Sequence, residues 1–325
     1  MKYEITKPVT LGVDVGGTKT KTALVDSNGQ ILSTCRSPTC TGKNPDAVIS
    51  DLVGCIETCV NEAEQDVKAL GIGVAAQVDT EGVVTSSQNL HWRNVSLKES
   101  IRKKLALPTV VVNDVRAAAW GEWLYGSGKG VDDLVVLFVG TGIGGGVVSG
   151  GKMLVGCSNS GGELGHITIV AGGHKCHCPN SGCLEAYAGG WAIAERAQHA
   201  VEAGSNSGQH LISIAGSLEG ITAATVGQAF REGDELARML VEETGRYLGA
   251  GVVSIVNAFN PCLLVLGGGV IEGLPELIGI VEKEIRHKAL ESSLQELNIV
   301  KAALGDDAGV VGAATLAQKE IGRTH

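Results

Sequence analysis

Aromatic side chains are scarce: the 325 residues include 3 Phe, 4 Trp and 4 Tyr. Large rings therefore cannot fill the core, which must be aliphatic. Basic residues are outnumbered, 26 against 35 acidic, for a net charge of -9. That balance argues against a nucleic acid or an acidic membrane surface as partner. It leaves room for an anionic ligand held by backbone N–H groups. No apolar run survives charge and glycine to reach the ~18 residues of a membrane span. No apolar stretch of leader length lies in MKYEITKPVTLGVDVGG, so a reduced, cytoplasmic setting is expected. The 9 cysteines are then read as metal-binding, catalytic or buried thiols, not disulfides.

Two nucleotide motifs are missing as well. Gly128-Lys129-Gly130 lacks both the upstream spacing and the following Ser or Thr of a Walker A run. Gly140, Gly142 and Gly145 do match G-x-G-x-x-G. A dinucleotide fingerprint opens a helix, whereas Val147 to Gly151 reads as strand and turn, which excludes a dehydrogenase.

Glycine, by contrast, is in excess: 47 of 325 residues, about 14%, against ~7% on average. No Gly-X-Y period absorbs it. From Gly140 to Gly190 there are 16 glycines in 51 residues. Such a segment loses much chain entropy on ordering, so a ligand, metal or neighbouring strand must hold it. The excess is expected at tight turns and ligand-approach points.

The length predicts about two domains. Val9 to Val15 is β-rich, Gly16-Gly17 turns, and Thr20 to Val25 returns; Gln30 to Arg36 is a third strand. Asp46 to Glu64 has helical spacing, with Val48, Leu52, Ile56 and Val60 on one stripe. Cys55 and Cys59 share that helix and are read as small buried hydrophobes. Leu70 to Val74 and Thr109 to Val112 are buried strands, and Ser96 to Lys104 and Val115 to Leu124 helices. Leu134 to Val139, a glycine turn over Gly140 to Gly146, and Val147-Val148 repeat the first hairpin. A long helix over Asp234 to Phe259, a strand at Leu263 to Leu266 and a final helix over Ala308 to Ile321 complete the pattern. Interleaved strands and helices mean α/β, and the doubled hairpin suggests two related lobes with a cleft between them.

Both glycine turns offer backbone N–H groups and threonine hydroxyls to phosphate oxygens. Asp14, at the end of the first strand, suits Mg2+ held partly through water. His166, Cys176, Cys178 and Cys183 supply one soft tetrahedral shell suited to a structural Zn2+. His174 and His177 are rival ligands; His166 is preferred because His177, between two cysteines, would have to reach backwards. Glu163 and Glu185 flank that cluster and would accept hydroxyl hydrogen bonds from a polyol. Asn113-Asp114 follows a buried strand, where α/β proteins place catalytic groups. The plainer reading of Asp114 is a helix N-cap.

These residues resemble the ROK family (repressors, open reading frames and kinases) of sugar kinases, within the actin-like, hexokinase-like fold. Asp14-Val15-Gly16-Gly17-Thr18-Lys19 is similar to the family's D-x-G-G-T-K. Asn113-Asp114 resembles its N-D pair, and Gly140 to Gly146 its second phosphate loop. Glu163-Leu164-Gly165-His166 resembles E-x-G-H, and Cys176 to Glu185 resembles C-x-C-G-x-x-G-C-x-E. Gly267-Gly268-Gly269 resembles the adenosine-side glycines, and Asn89-Leu90-His91-Trp92 the N-L-x-W loop. Three stretches depart from the pattern: Pro179 replaces a glycine, Val115-Arg116 replaces Ala-Asn, and Gly71 to Asp79 replaces G-I-G-x-P-G-P-V-D.

The resemblance implies α/β architecture in two related actin-like (ribonuclease H-like) lobes with an interlobe cleft. Residues 1–114 would form the first lobe, with a helix at about 308–321 packing back on it, and 115–307 the second, with the zinc-binding loop. It implies ATP-dependent phosphorylation of a hexose 6-hydroxyl, with glucose the leading acceptor. The alternatives are an N-acetylmannosamine or N-acetylglucosamine kinase and a non-catalytic sugar sensor. Asp114 would be the base. Asn89, Asn113, Asp114, Glu163, His166 and Glu185 would bind the sugar, with Trp92 the one aromatic near it. Asp14, Gly16, Gly17, Thr18, Lys19, Gly140, Thr141, Gly142, Gly267 and Gly268 would bind ATP, with Mg2+. Zn2+ would sit on His166, Cys176, Cys178 and Cys183. Partners would be small molecules, with no nucleic acid and no membrane, in a homodimer or homotetramer. A DNA-binding repressor is not expected, since the first phosphate strand starts near residue 9.

Overall fold

The computed structural model describes residues 9–39, 44–63, 65–87, 89–204 and 208–323. In chain order the strands are β1 (Val9–Val15), β2 (Lys19–Val25), β3 (Ile31–Pro38), β4 (Val67–Val74), β5 (Gln77–Val78), β6 (Val84–Ser87), β7 (Trp92–Val95), β8 (Thr109–Asn113), β9 (Leu134–Val139), β10 (Ile143–Ser149), β11 (Lys152–Met153), β12 (Leu263–Gly267) and β13 (Asn298–Lys301). Two five-stranded sheets form, in the orders β3-β2-β1-β4-β8 and β11-β10-β9-β12-β13. In each, an antiparallel hairpin (β1–β2, β9–β10) is followed by two parallel pairings. The doubled hairpin in the sequence is thus the visible part of a doubled sheet. The small sheet β5-β6-β7 was not foreseen.

The chain divides into two compact units: Met1–Gly130 with Met153–Gly162 and Ala303–His325, and Val131–Lys152 with Glu163–Ala302. The expected boundary after residue 114 is therefore misplaced. Helix Asp114–Tyr125 packs on the last helix, Ala308–Arg323, which itself lies on β1 and β4, so both helices belong to the first unit. Met153–Gly162 also belongs there, a return of the chain that the sequence did not reveal.

Each core is aliphatic, as the low aromatic count requires. The largest fully buried side chains are all Leu and Ile, among them Leu11, Ile49, Ile56 and Leu70 in the first unit and Leu134, Leu137 and Ile193 in the second. Each contributes roughly 1.5–3 kcal/mol by burial. On helix Pro45–Glu62 the stripe Val48, Leu52 and Ile56 is buried. The expected end of that helix at Glu64 lies outside the described residues.

Part of the glycine excess serves helix packing, not ligands. A Cβ on Gly12 would stand 1.9 Å from the Val310 carbonyl oxygen, and one on Gly71 1.8 Å from that of Ala313. The last helix therefore lies directly on the backbone of β1 and β4. Gly144, Gly145 and Gly146 are also strand, not turn, and pair with Phe138, Leu137 and Val136. The turn is therefore shorter than expected, and the glycine strand lets Leu164 sit close: a Cβ on Gly145 would be 2.9 Å from Leu164 Cδ1. No helix among the described residues is long and apolar enough to cross a membrane.

Candidate active site

In the first unit, Asn113 ends β8 and caps the following helix. Its Oδ1 accepts the Arg116 N–H at 2.9 Å, while its Nδ2 donates to the Ala76 carbonyl and to Asp114 Oδ1, both at 3.1 Å. The N-cap role that was the plain alternative for Asp114 thus belongs to its neighbour. Asn113 satisfies an orphan helix donor and orients the Asp114 carboxylate. Both of its amide hydrogens are engaged, so it is a positioning residue more than a donor to a ligand.

Asp14 closes β1 at the glycine turn, where the Gly16 N–H donates to the Lys19 carbonyl at 3.0 Å. Burial and the nearby charge of Asp114 push its carboxyl up to about 7. Asn89 packs on this turn: a Cβ on Gly17 would be 3.2 Å from Asn89 Cβ. Lys19 is exposed and pairs with Asp306 at 3.5 Å. The buried Lys21 pairs with Asp307 and donates to the Asp306 carbonyl at 3.0 Å. Asp306 and Asp307 were missed. The signal was an acidic pair after Gly305, just ahead of the last helix.

Trp92, expected beside the sugar, turns no exposed ring face outward. It is 2% exposed in the first unit's core, and its indole nitrogen has no hydrogen-bond partner among the described residues. The aromatic that matters lies elsewhere. Trp191, at the start of helix Gly190–Glu202, lines a cavity of about 360 Å³ in the second unit with Gly140, Thr141, Thr222, Gly269 and Leu274. No motif marks it in the sequence, because it sits outside every glycine turn. Gly267 and Gly268 do not line that cavity. They pack against neighbouring chain: a Cβ on Gly267 would be 2.7 Å from Ala302 Cβ, and one on Gly268 2.5 Å from the Val139 carbonyl oxygen. Gly269 and Gly273 form the wall instead.

The second glycine turn is held from several sides. Gly140 N–H donates to the Gly142 carbonyl at 2.9 Å, and the N–H groups of Gly190 and Trp191 donate to the carbonyls of Gly140 and Thr141 at 2.9 and 3.1 Å. Glu185 takes the Ile143 N–H at 2.8 Å and the Trp191 indole N–H at 3.3 Å. Glu163 precedes the short turn Leu164–His166. Gly165 is required there: its Cβ would stand 2.0 Å from the Ile143 carbonyl oxygen.

His166, Cys176, Cys178 and Cys183 converge, one ligand atom from each lying within 4.8 Å of the others. Cys176 Sγ is 3.7 Å from His166 Nδ1, and Cys178 Sγ is 3.6 Å from Cys183 Sγ. Zinc–sulfur bonds of ~2.3 Å in a tetrahedron place ligand atoms about 3.8 Å apart, so the donor set and its spacing fit zinc. Burial pushes the Cys176 thiol up to about 12 and raises Cys183. The rival histidines are occupied with rings: His177 stacks on Trp191 with centroids 4.0 Å apart, and His174 lies 4.7 Å from the Tyr187 ring.

The structure thus gathers Asp14, Gly16, Gly17, Thr18, Lys19, Asn89, Asn113 and Asp114 in the first unit. It gathers Gly140, Thr141, Gly142, Glu163, His166, Glu185 and the three cysteines in the second.

Two α/β units with one strand order, each carrying a glycine-turn hairpin, define an actin-like protein. Residues 10–320 match the ROK family, and the chain belongs to it. The glucokinase of Streptomyces coelicolor is 34% identical over 314 residues, 96% of this chain and 98% of that one. The N-acetylmannosamine kinase of Escherichia fergusonii is 33% identical over 313 residues, 96% and 99% of the two chains. Among solved structures, a ROK family glucokinase from Streptomyces griseus in complex with glucose and AMPPNP superposes with a TM-score of 0.84 at 35% identity. That match covers 96% of this chain and 99% of the other.

Proposed function

We propose that the chain uses ATP to phosphorylate the 6-hydroxyl of a hexose, with glucose as the leading acceptor. The observation that carries this reading is Asp114, a carboxylate at a strand end whose neighbour Asn113 takes over the helix cap and orients it. In that position Asp114 accepts the proton of the acceptor hydroxyl. Phosphoryl transfer asks for little covalent chemistry beyond this, so the remaining residues hold and orient.

The two glycine turns present backbone N–H groups to the phosphates, with Thr18 and Thr141 adding hydroxyls. The 360 Å³ cavity suits the adenosine part of ATP: Trp191, Val270 and Leu274 give it apolar walls, and Thr222 a hydroxyl. Asp14, beside Asp114 and Asp306, carries the charge crowding that a divalent cation relieves, and is the residue that would hold Mg2+. Bound there, Mg2+ neutralises charge on the phosphates. His166 and the three cysteines would hold Zn2+. With four protein ligands it would be structural and would fix the loop bearing Glu185. Facing Cys176 through Nδ1, His166 keeps its other ring nitrogen for a sugar hydroxyl. Glu163, Glu185 and Asn89 complete the sugar contacts. A homodimer or homotetramer in the cytoplasm completes the reading.

A coupled kinase assay tests it, run over glucose, mannose, N-acetylmannosamine, N-acetylglucosamine, fructose and allose with ATP and with polyphosphate. Glucose with ATP should give the highest kcat/KM. The N-acetylmannosamine kinase relative makes that sugar the second reading, and a higher kcat/KM for it would select that reading. Sugar binding without any phosphorylated product would overturn the kinase and leave a sensor.

A further inference from the structure

The hydrogen bonds of Arg116 belong to one continuous net within the first unit. Arg116 is 7% exposed. A buried guanidinium is costly unless its donors are met. Its Nη1 donates to Asn159 Oδ1 at 2.7 Å and its Nη2 to the Gly161 carbonyl at 3.1 Å. Asn159 passes the net on, donating from Nδ2 to the carbonyls of Val78 at 3.0 Å and Asp79 at 3.3 Å. In the other direction the Arg116 N–H meets Asn113, whose amide also binds Ala76 and Asp114. The net therefore runs from residues 76–79, around β5, through residues 159–161, to the carboxylate read as the base.

Within residues 153–162, those beyond Met153, which closes β11, bury little surface. The chain belongs to the second unit on both sides of this stretch. Leu154 and Val155 are each 41% exposed, so burial contributes little to its placement. Asn159 itself sits at φ 59, in the left-handed region that Asn, Asp and Gly adopt at least cost. One position thus combines a backbone demand with an acceptor for Arg116 and a donor for two carbonyls. Glu163 follows Gly161 closely in the chain.

We infer that Arg116 is a positioning residue for the acceptor sugar: through Asn159 and Gly161 it locks the 153–162 segment onto the 76–79 stretch around β5, beside the Asn113–Asp114 pair. The inference rests on the kinase reading above. A merely structural role would lower stability without favouring one substrate over the other. A positioning role raises the KM for the sugar and leaves that for ATP in place.

The test uses two substitutions that both tolerate positive φ. Asn159→Gly deletes both arms of the net. Asn159→Asp keeps the acceptor for Arg116 but turns a carboxylate toward the Val78 and Asp79 carbonyls. In the full chain, Asn159→Gly should raise the glucose KM ~10-fold, the usual scale for losing a hydrogen bond to a charged group, with the ATP KM within about twofold. Asn159→Asp should raise it less, by about threefold. Arg116→Lys, a point charge without the fork, should not restore the wild-type glucose KM. An unchanged glucose KM in Asn159→Gly, or glucose and ATP KM rising together, would overturn the inference; if that variant does not fold, Asn159→Asp is judged by the same split. A wild type that phosphorylates no sugar overturns the kinase reading instead. Glucose affinity by calorimetry then decides Arg116: a drop in Asn159→Gly supports it, and equal affinity or no binding by the wild type overturns it.

Discussion

The Glu185 carboxylate accepts the backbone N–H of Ile143 at 2.8 Å, so the residue that ends the cysteine loop is also a strut of the second glycine turn. Gly142 fits against it only because it lacks a side chain; its Cβ would be 2.4 Å from Glu185 Oε2. The other oxygen takes the Trp191 indole N–H.

Glu185→Ala should therefore disturb the nucleotide side as well as the sugar side. Losing a charged acceptor of this kind costs about 1.5–3 kcal/mol, or ~10- to 100-fold in kcat/KM. The KM for ATP should rise along with that for glucose. A variant whose ATP KM stays at the wild-type value would show that Glu185 is a sugar contact alone.

Asp114→Asn removes the proton acceptor while keeping shape. As a general base its loss should lower kcat by ~10²- to 10⁴-fold, with glucose affinity by calorimetry changed only a few-fold. Near-normal turnover would remove Asp114 from the mechanism.

What the sequence disclosed depended on how local the physics was. The hairpins, the cysteine cluster and the strand-end position of Asp114 rest on short-range patterns: the cysteines converge and Asp114 follows β8, though the second glycine turn is shorter than its motif suggested. The assignment of the cap to Asn113 was illegible, because adjacent Asn and Asp are equally good caps by residue type. Trp92 was expected near the sugar and is buried, while Trp191, which no motif marked, lines a cavity: composition could not tell a core indole from one lining a cavity. Arg116, Asn159 and Asp307 act across long sequence separations, and no spacing rule joins them. The domain boundary failed for the same reason, since helix Asp114–Tyr125 is assigned by its packing on a helix from the far end of the chain.

Asp14 predicts a pH dependence of stability in the metal-free protein. Its carboxyl is raised from 3.8 to about 7, first by burial and then by Asp114. The folded state thus holds the proton where the unfolded chain has released it. The contribution is fully present below about pH 4, declines as pH rises, and is gone above about pH 7. The whole effect is at most about 4 kcal/mol. Asp14→Asn should flatten the decline, and chemical denaturation at pH 5 and pH 8 reads it. Parallel pH curves for wild type and variant would sink the assignment.

The cysteine cluster predicts one zinc per chain by elemental analysis of purified protein. Stripping it with a chelator should lower the melting temperature and alter the emission of Trp191, which His177 stacks upon from within the loop. Cys178→Ser should do the same. Less than one equivalent of metal, with all three thiols titrating freely, would refute the site.

Glu122 makes a stability prediction that is independent of activity. It is fully buried, and its carboxylate accepts three backbone N–H groups: Ser127 at 2.9 Å, Ala303 at 3.1 Å and Leu304 at 2.6 Å. Ser127 lies just before the first unit's main run ends at Gly130, and Ala303 is where the chain re-enters that unit. One side chain therefore fixes the end of one run to the start of the other. Glu122→Ala leaves three buried donors unmet and should cost about 3–5 kcal/mol in denaturant unfolding. Glu122→Gln should cost less, about 1–3 kcal/mol, because its remaining amide oxygen can still accept the Ser127 and Ala303 N–H groups while its NH2 faces the Leu304 N–H. A loss below about 1 kcal/mol in both variants would mean that water reaches these groups and that Glu122 is not the tie between the two runs.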